Sequence, residues 1–176
     1  INMATISTTQ SGAWATGSTW VGGTAPENGV DTGVVKGGHS VPEVPTGATC
    51  DNIEVGGTVG VNNGTIVLND GCVGHNTGAG VITTNNVDGL ISLNEGEITS
   101  NLGFINLNSG TGNIVSNEGL VSTNSAAIET DNGMINTVAE IIDHNNNGSL
   151  GGWPISTTSI GPMPVSGTSV GPYPVV

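Results

Sequence analysis

Apolar and polar positions follow a seven-residue beat, roughly x-I-x-x-N-x-G, from Thr58 to Gly148. Units read TVGVNNG from Thr58, TIVLNDG from Thr65, CVGHNTG from Cys72, LISLNEG from Leu90, EITSNLG from Glu97, FINLNSG from Phe104 and NIVSNEG from Asn113, with looser copies between and after them. Position two is Ile or Val every time. Two-residue insertions at Ala79-Gly80, Asn86-Val87 and Thr111-Gly112, and an extra Asn near Gly148, all fall beside the Asn/Gly end of a unit. Insertions belong in turns, so the Asn/Gly end reads as a corner and the apolar end as a strand.

Comparing alternate units doubles the beat. Position one is Leu90, Phe104, Leu120 and Met134 in one set, but Glu97, Asn113 and Ala127 in the other. Two short strands and two corners make a coil of about 14 residues, the reading of an all-β parallel β-solenoid (β-helix or β-roll) in which each set stacks on itself. Side chains alternate faces along a strand, so positions two and four are expected to share the core: Ile66 with Leu68, Ile91 with Leu93, Ile105 with Leu107. At the corners, Asn at position five is expected to bond its own main chain and accept left-handed backbone, and Gly at position seven to supply positive φ. Stacked Asn side chains could also ladder along the axis. The same beat fits three chains interwoven in one triple β-helix.

Outward position one then forms an apolar stripe of Leu90, Phe104, Leu120 and Met134, one residue per coil at roughly 4.8 Å spacing. Exposed apolar stripes usually meet something. Self-association about a three-fold axis is the reading preferred here, with cover by the N-terminal module or the tail of the same chain as the alternative.

Two segments flank the repeats. Residues 1–57 break the beat and hold Trp14 and Trp20, large apolar bodies in a chain with three Trp, one Tyr and one Phe. They are expected to form a β cap over the open end of the first coil, because a solenoid needs its last edge covered. Residues 149–176 carry their own repeat, SIGPMPV from Ser159 and SVGPYPV from Ser169, after Trp153-Pro154. Dense Pro opposes helix and central strand, so this segment reads as an extended arm anchored by Trp153, Ile160, Met163, Val165, Val170, Tyr173 and Val175. A preformed extended peptide loses little entropy on docking. Its groove could lie on its own solenoid, on a neighbouring copy or on another protein.

Composition narrows the partners. One Lys, no Arg and 14 acidic residues give a formal net charge of -13, which leaves no electrostatic footprint for nucleic acid or an anionic membrane. No apolar run spans a bilayer, and the start INMATISTTQ does not resemble a signal peptide; Met3 is the expected initiator of a chain made in a cytoplasm. Cys50 and Cys72 lie far apart in no metal-ligand spacing, and free thiols are expected.

Chemistry finds little to work with. His39, His75 and His144 are scattered, and no further metal-ligating side chains accompany them at ligand spacing, so neither metal nor cofactor is expected. Position-six carboxylates, Asp70 with Asp88 or Glu95 with Glu118, could stack within the separation of a glycosidase pair, but other residues occupy the same position and solvated corners explain them. Calcium-roll and phosphate-loop motifs are absent. The chain therefore reads as a non-enzyme. A flat file of Thr for ice binding is missing too, since outward position three reads Thr83, Ser92, Thr99, Asn106, Val115, Ser122, Glu129 and Asn136.

The segment Trp14, Trp20, Gly22, Gly23, Pro26, Gly29 and Asp31, followed by Val35, Gly38, His39 and Val41, resembles the opening of phage and bacterial surface proteins with β-helical bodies. A start of the form M-A-T-I-S looks more like a phage virion protein than an exported adhesin. The resemblance implies a structural protein of the virion surface, a homotrimeric capsid decoration or cement protein whose second partner is the major capsid protein. The alternative is a short tail fibre or adhesin module on the extracellular surface, binding a glycan through Trp14, Trp20, Trp153 or the Asn corners. Polysaccharide-cutting tailspikes are much longer, so their activity is not implied.

Overall fold

The computed structural model describes residues 4–138 and, beyond them, strands at 142–145, 149–150, 153–156, 159–160, 163–164, 169–170 and 173–174; side chains are described for 4–129 and 131–135. The chain opens with β1 (Thr5–Ser7), two 3-10 turns at Gly17–Thr19 and Val21–Gly23, β2 (Thr32–Val35), β3 (Ser40–Val44) and β4 (Thr49–Ile53). The repeats supply β5 (Thr58–Asn62), β6 (Thr65–Asn69), β7 (Cys72–Asn76), β8 (Val81–Asn85), β9 (Leu90–Asn94) and β10 (Glu97–Asn101). They continue through β11 (Phe104–Asn108), β12 (Asn113–Asn117), β13 (Leu120–Asn124), β14 (Ala127–Asp131), β15 (Met134–Val138) and β16 (Ile142–Asn145).

Each seven-residue unit is one strand, and successive strands alternate between two sheets. The nine-stranded sheet is ordered β1-β2-β4-β6-β8-β10-β12-β14-β16, and β3-β5-β7-β9-β11-β13-β15 form the other. Neighbours in both are parallel and pair like residue with like, for example Ile98 with Ile114 and Phe104 with Leu120. This is a parallel β-solenoid whose sheets form within one chain. The insertions lie between strands, as their place in the beat requires, and lengthen the coil from the expected 14 residues to roughly 16.

Strict alternation fails inside each strand. From β5 to β13, Ile or Val at position two and Asn at position five are both buried, whereas position three is exposed or half-buried and position four is half-buried. Position three is also skipped in the repeat-to-repeat pairing, as between β9 and β11. Two outward residues between two inward ones mean that the strand turns a convex corner there, since a straight strand would alternate. Leu68, Leu93 and Leu107 are therefore not core, a correction to the straight-strand expectation.

The interior consists of two files of Ile and Val, from Cys50 through Ile66, Ile82, Ile98, Ile114 and Ile128 and from Val41 through Val59, Ile91 and Ile135, all within 1% of full burial. Beside them run two amide ladders. In one, each Asn Nδ2 donates to the Oδ1 of the Asn one coil on, from Asn62 through Asn76, Asn94 and Asn108 to Asn124, at 2.7–2.8 Å. The other runs from Asn69 through Asn85, Asn101 and Asn117 to the carboxylate of Asp131, at 2.6–2.7 Å. The second amide proton goes to a backbone carbonyl, as from Asn94 to Gly96 and from Asn108 to Ala127. Every ladder side chain is 0% exposed, and such burial is tolerable only because donors and acceptors are matched.

These ladders bear out the expected stacking of Asn along the axis, and Asn62 and Asn69 also bond their own main chain, accepting from Gly64 N and Gly71 N; the left-handed backbone expected at Asn is what fails. No non-Gly residue among those described has positive φ, and among the described repeats the only position-seven Gly that does is Gly110, beside the Thr111-Gly112 insertion. Asn is selected by the interior. Gly at position seven is selected by close approach between coils: a Cβ on Gly119 would lie 2.2 Å from the Gly103 carbonyl oxygen, and one on Gly133 equally close to that of Gly119.

Candidate self-association surface

Four residues define the apolar file. Leu90, Phe104, Leu120 and Met134 open β9, β11, β13 and β15 and are direct cross-strand partners in sequence. Leu90, Phe104 and Leu120 are half-buried, and Met134 is 41% exposed. Cys72 continues the file below Leu90. A second file, missed by the straight-strand reading, stands at position four of the same sheet, on β5, β7, β9 and β11, where Val61, His75, Leu93 and Leu107 are paired in sequence and half-buried. Its trace in the sequence was that Leu93 and Leu107 belong to the same alternate units as Leu90 and Phe104.

Trp14 and Trp20 lie at the first coil. They are 5% and 1% exposed, edge to face at 4.8 Å between ring centroids, and Trp20 Nε1 donates to the Trp14 carbonyl at 2.6 Å. Both rings lie over Gly33, which is paired with Cys50 in the interior file. A Cβ there would come within 2.5 Å of the Trp14 ring and 2.9 Å of the Trp20 ring. The indoles thus fill the space that an Ile occupies in later coils. Gly12 N donates to the Ser40 carbonyl and Ser40 N to Ser11 Oγ, which covers part of the β3 edge. Rings this buried are closed to a sugar, and the ladder amides have spent their protons inside, so neither supplies a glycan platform.

At the other end, Ser149–Leu150 pairs with β15 and continues its sheet. Trp153–Ser156 pairs antiparallel with Ser149–Leu150 and with Ser159–Ile160, which pairs in turn with Met163–Pro164. Ser169–Val170 pairs with Tyr173–Pro174. The Pro-dense segment thus forms short ladders rather than a bare extended arm. Pro154 lies in a run paired on both sides, contrary to the expectation for dense Pro, although its own partner is Ser149 alone. The side chains of Trp153, Ile160, Met163, Val165, Val170, Tyr173 and Val175 lie outside the described residues, as does that of His144.

The titratable groups remain dispersed. His39 Nδ1 is 2.8 Å from Thr8 Oγ1, and His75 Nε2 is 2.9 Å from Glu95 Oε2. Asp70 accepts from Asn86 Nδ2. Glu95 follows β9 and Glu118 follows β12, at corners belonging to different sheets, so the structure does not bring that pair together. Lys36 Nζ lies 2.5 Å from Glu54 Oε1, and this hydrogen bond holds the Glu54 carboxyl below its ordinary range. Burial pushes the Cys50 thiol up to about 12, and both cysteines are free. Burial also raises the Asp131 carboxyl, against hydrogen bonds from Asn117 and Gly133 that lower it. Among the described residues no group of three or more His, Cys, Asp or Glu could hold a metal ion, and no helix is long and apolar enough to cross a membrane.

The fold and its outward files define a class, a single-chain parallel β-solenoid with an internal amide ladder and an apolar outer corner. No protein-family model, curated protein or solved structure matches the chain.

Proposed function

We propose that the chain is a non-enzymatic structural protein of a phage virion, a homotrimeric capsid decoration or cement protein that stabilises the shell by binding rather than by chemistry. The observation that carries this reading is the in-register apolar file Leu90, Phe104, Leu120 and Met134 on the outside of a regular solenoid. A solenoid buries just enough surface to hold itself together, and an outward apolar file beyond that need is a contact surface. Three joined copies would present three equal attachments to a shell, raising avidity through effective concentration without any new contact. The virion setting is supported by the resemblance of the Trp14-to-Val41 segment, and the major capsid protein is the second partner it implies.

Immunogold electron microscopy of phage particles with antibody raised against the chain tests the setting. Label over the shell in near-stoichiometric amount is expected. Label confined to the tail, or none, would overturn it.

A further inference from the structure

The convex corner in each strand gives the outer surface of the β5-to-β13 sheet the form of a wedge. Positions one and three share one flank by alternation, and positions four and six share the other. The first flank carries Leu90, Phe104 and Leu120, and the second carries Val61, Leu93 and Leu107 with His75 between Val61 and Leu93. Across β5, β7, β9, β11 and β13 these four positions hold a single charged carboxylate, Glu95, and it lies 2.9 Å from His75. The equivalent positions of β6, β8, β10, β12 and β14 hold Asp70, Asp88, Glu97, Glu118 and Glu129. In a chain of net charge -13, the wedge is the side on which a second copy can approach with least like-charge repulsion. A basic partner would be drawn to the other sheet.

We infer that further copies of this chain occupy both flanks, the Leu90-Phe104-Leu120 file of one copy packing on the Val61-Leu93-Leu107 file of the next. This rests on the self-association part of the proposed function and specifies its geometry. A two-fold contact would set like flank on like flank and leave the second file in water. Unlike flanks are both covered only by a head-to-tail contact, which closes into a ring when the rotation permits, and three is the smallest ring. The position-three residues at the ridge, Gly60, Gly74, Ser92, Asn106 and Ser122, are small or uncharged and suit the crowded axis.

The test uses the full chain and light scattering coupled to size exclusion, with far-UV circular dichroism to confirm folding. Wild type and the control Thr99→Glu, an exposed site on the other sheet, should run at three times 17.4 kDa. Phe104→Glu and Leu107→Glu should each lose the trimer at concentrations where wild type keeps it. Mixing the two variants should restore a one-to-one heterodimer and no trimer, since one intact pair of unlike flanks remains. If either Glu variant loses its folded spectrum, Phe104→Ser and Leu107→Ser provide the same comparison. An oligomer that survives at position 107 but not at 104 would overturn the two-flank geometry while leaving self-association standing. A wild-type chain that stays at 17.4 kDa would instead remove the self-association reading itself.

Discussion

Replacing Asn101 with Ala strikes the amide ladder at its middle. Asn101 Oδ1 accepts from Asn85 at 2.7 Å and its Nδ2 donates to Asn117 at 2.6 Å, all three side chains being 0% exposed. Truncation leaves a donor on Asn85 and an acceptor on Asn117 without their partners, in a space that water reaches only by opening the coil. A buried polar group left unsatisfied costs about 1–3 kcal/mol, so two cost about 2–6 kcal/mol. Thr99→Ala, two residues away on the exposed side of the same strand, should stay within about 0.5 kcal/mol of wild type. Urea unfolding followed by circular dichroism reads both, and an unchanged denaturant slope licenses the comparison. An Asn101→Ala loss below about 1 kcal/mol, less than the smallest penalty expected for two orphaned groups, would refute the view that the ladder holds the interior together.

Three further perturbations probe separate parts of the account. Asp131→Asn should stabilise the fold at neutral pH: the folded carboxyl is raised above its ordinary 3.8 by burial, so wild-type stability falls as pH rises from 3.8 through the folded value, and the variant escapes that loss. Melting temperatures of the two should converge below pH 3.8; a constant gap across pH would contradict the assignment. Gly119→Ala should cost about 1–3 kcal/mol or more by overpacking, because its new Cβ meets the Gly103 carbonyl oxygen at 2.2 Å; urea midpoints check it. For the thiols, Cys50 is buried with its acidity suppressed and Cys72 is half-buried on the apolar file. A disulfide reagent at pH 8 should spare Cys50 until the chain is denatured and reach Cys72 faster as the protein is diluted. Rapid labelling of Cys50 in the native state would contradict its placement.

The period, the two-strand coil and the position of the insertions were legible because Ile and Val recur on schedule and extra residues collect in one part of the unit. The interior was half legible. Asn62, Asn69, Asn76, Asn85, Asn94, Asn101, Asn108, Asn117 and Asn124 all occupy position five, yet Asn is so common at turns that a corner role masked an interior one. A turn would have admitted Asp, Ser or Gly in several units. The recurrence of Asn at the position through Asn124 was the signal, since a side-chain amide can accept from one neighbour and donate to the next along a file. Position four was misread by extending strict alternation across a bend, although its Thr84, Ser100, Ser116 and Thr123 already spoke against a core slot. Gly at position seven was assigned a conformational role because close approach of one coil to the next depends on register, which a single unit does not reveal. The seat of the Trp pair over Gly33 was not legible, because it required the pairing of β2 with β4.

The central claim is that this solenoid joins copies of itself through an uncharged apolar corner, against the repulsion of an acidic surface. Light scattering of the full chain at low and high salt addresses it most directly, because salt screens like charges and leaves apolar contact in place. The account predicts a mass of three times 17.4 kDa that persists to lower protein concentration as salt is raised. A mass of 17.4 kDa at every concentration and salt would contradict it.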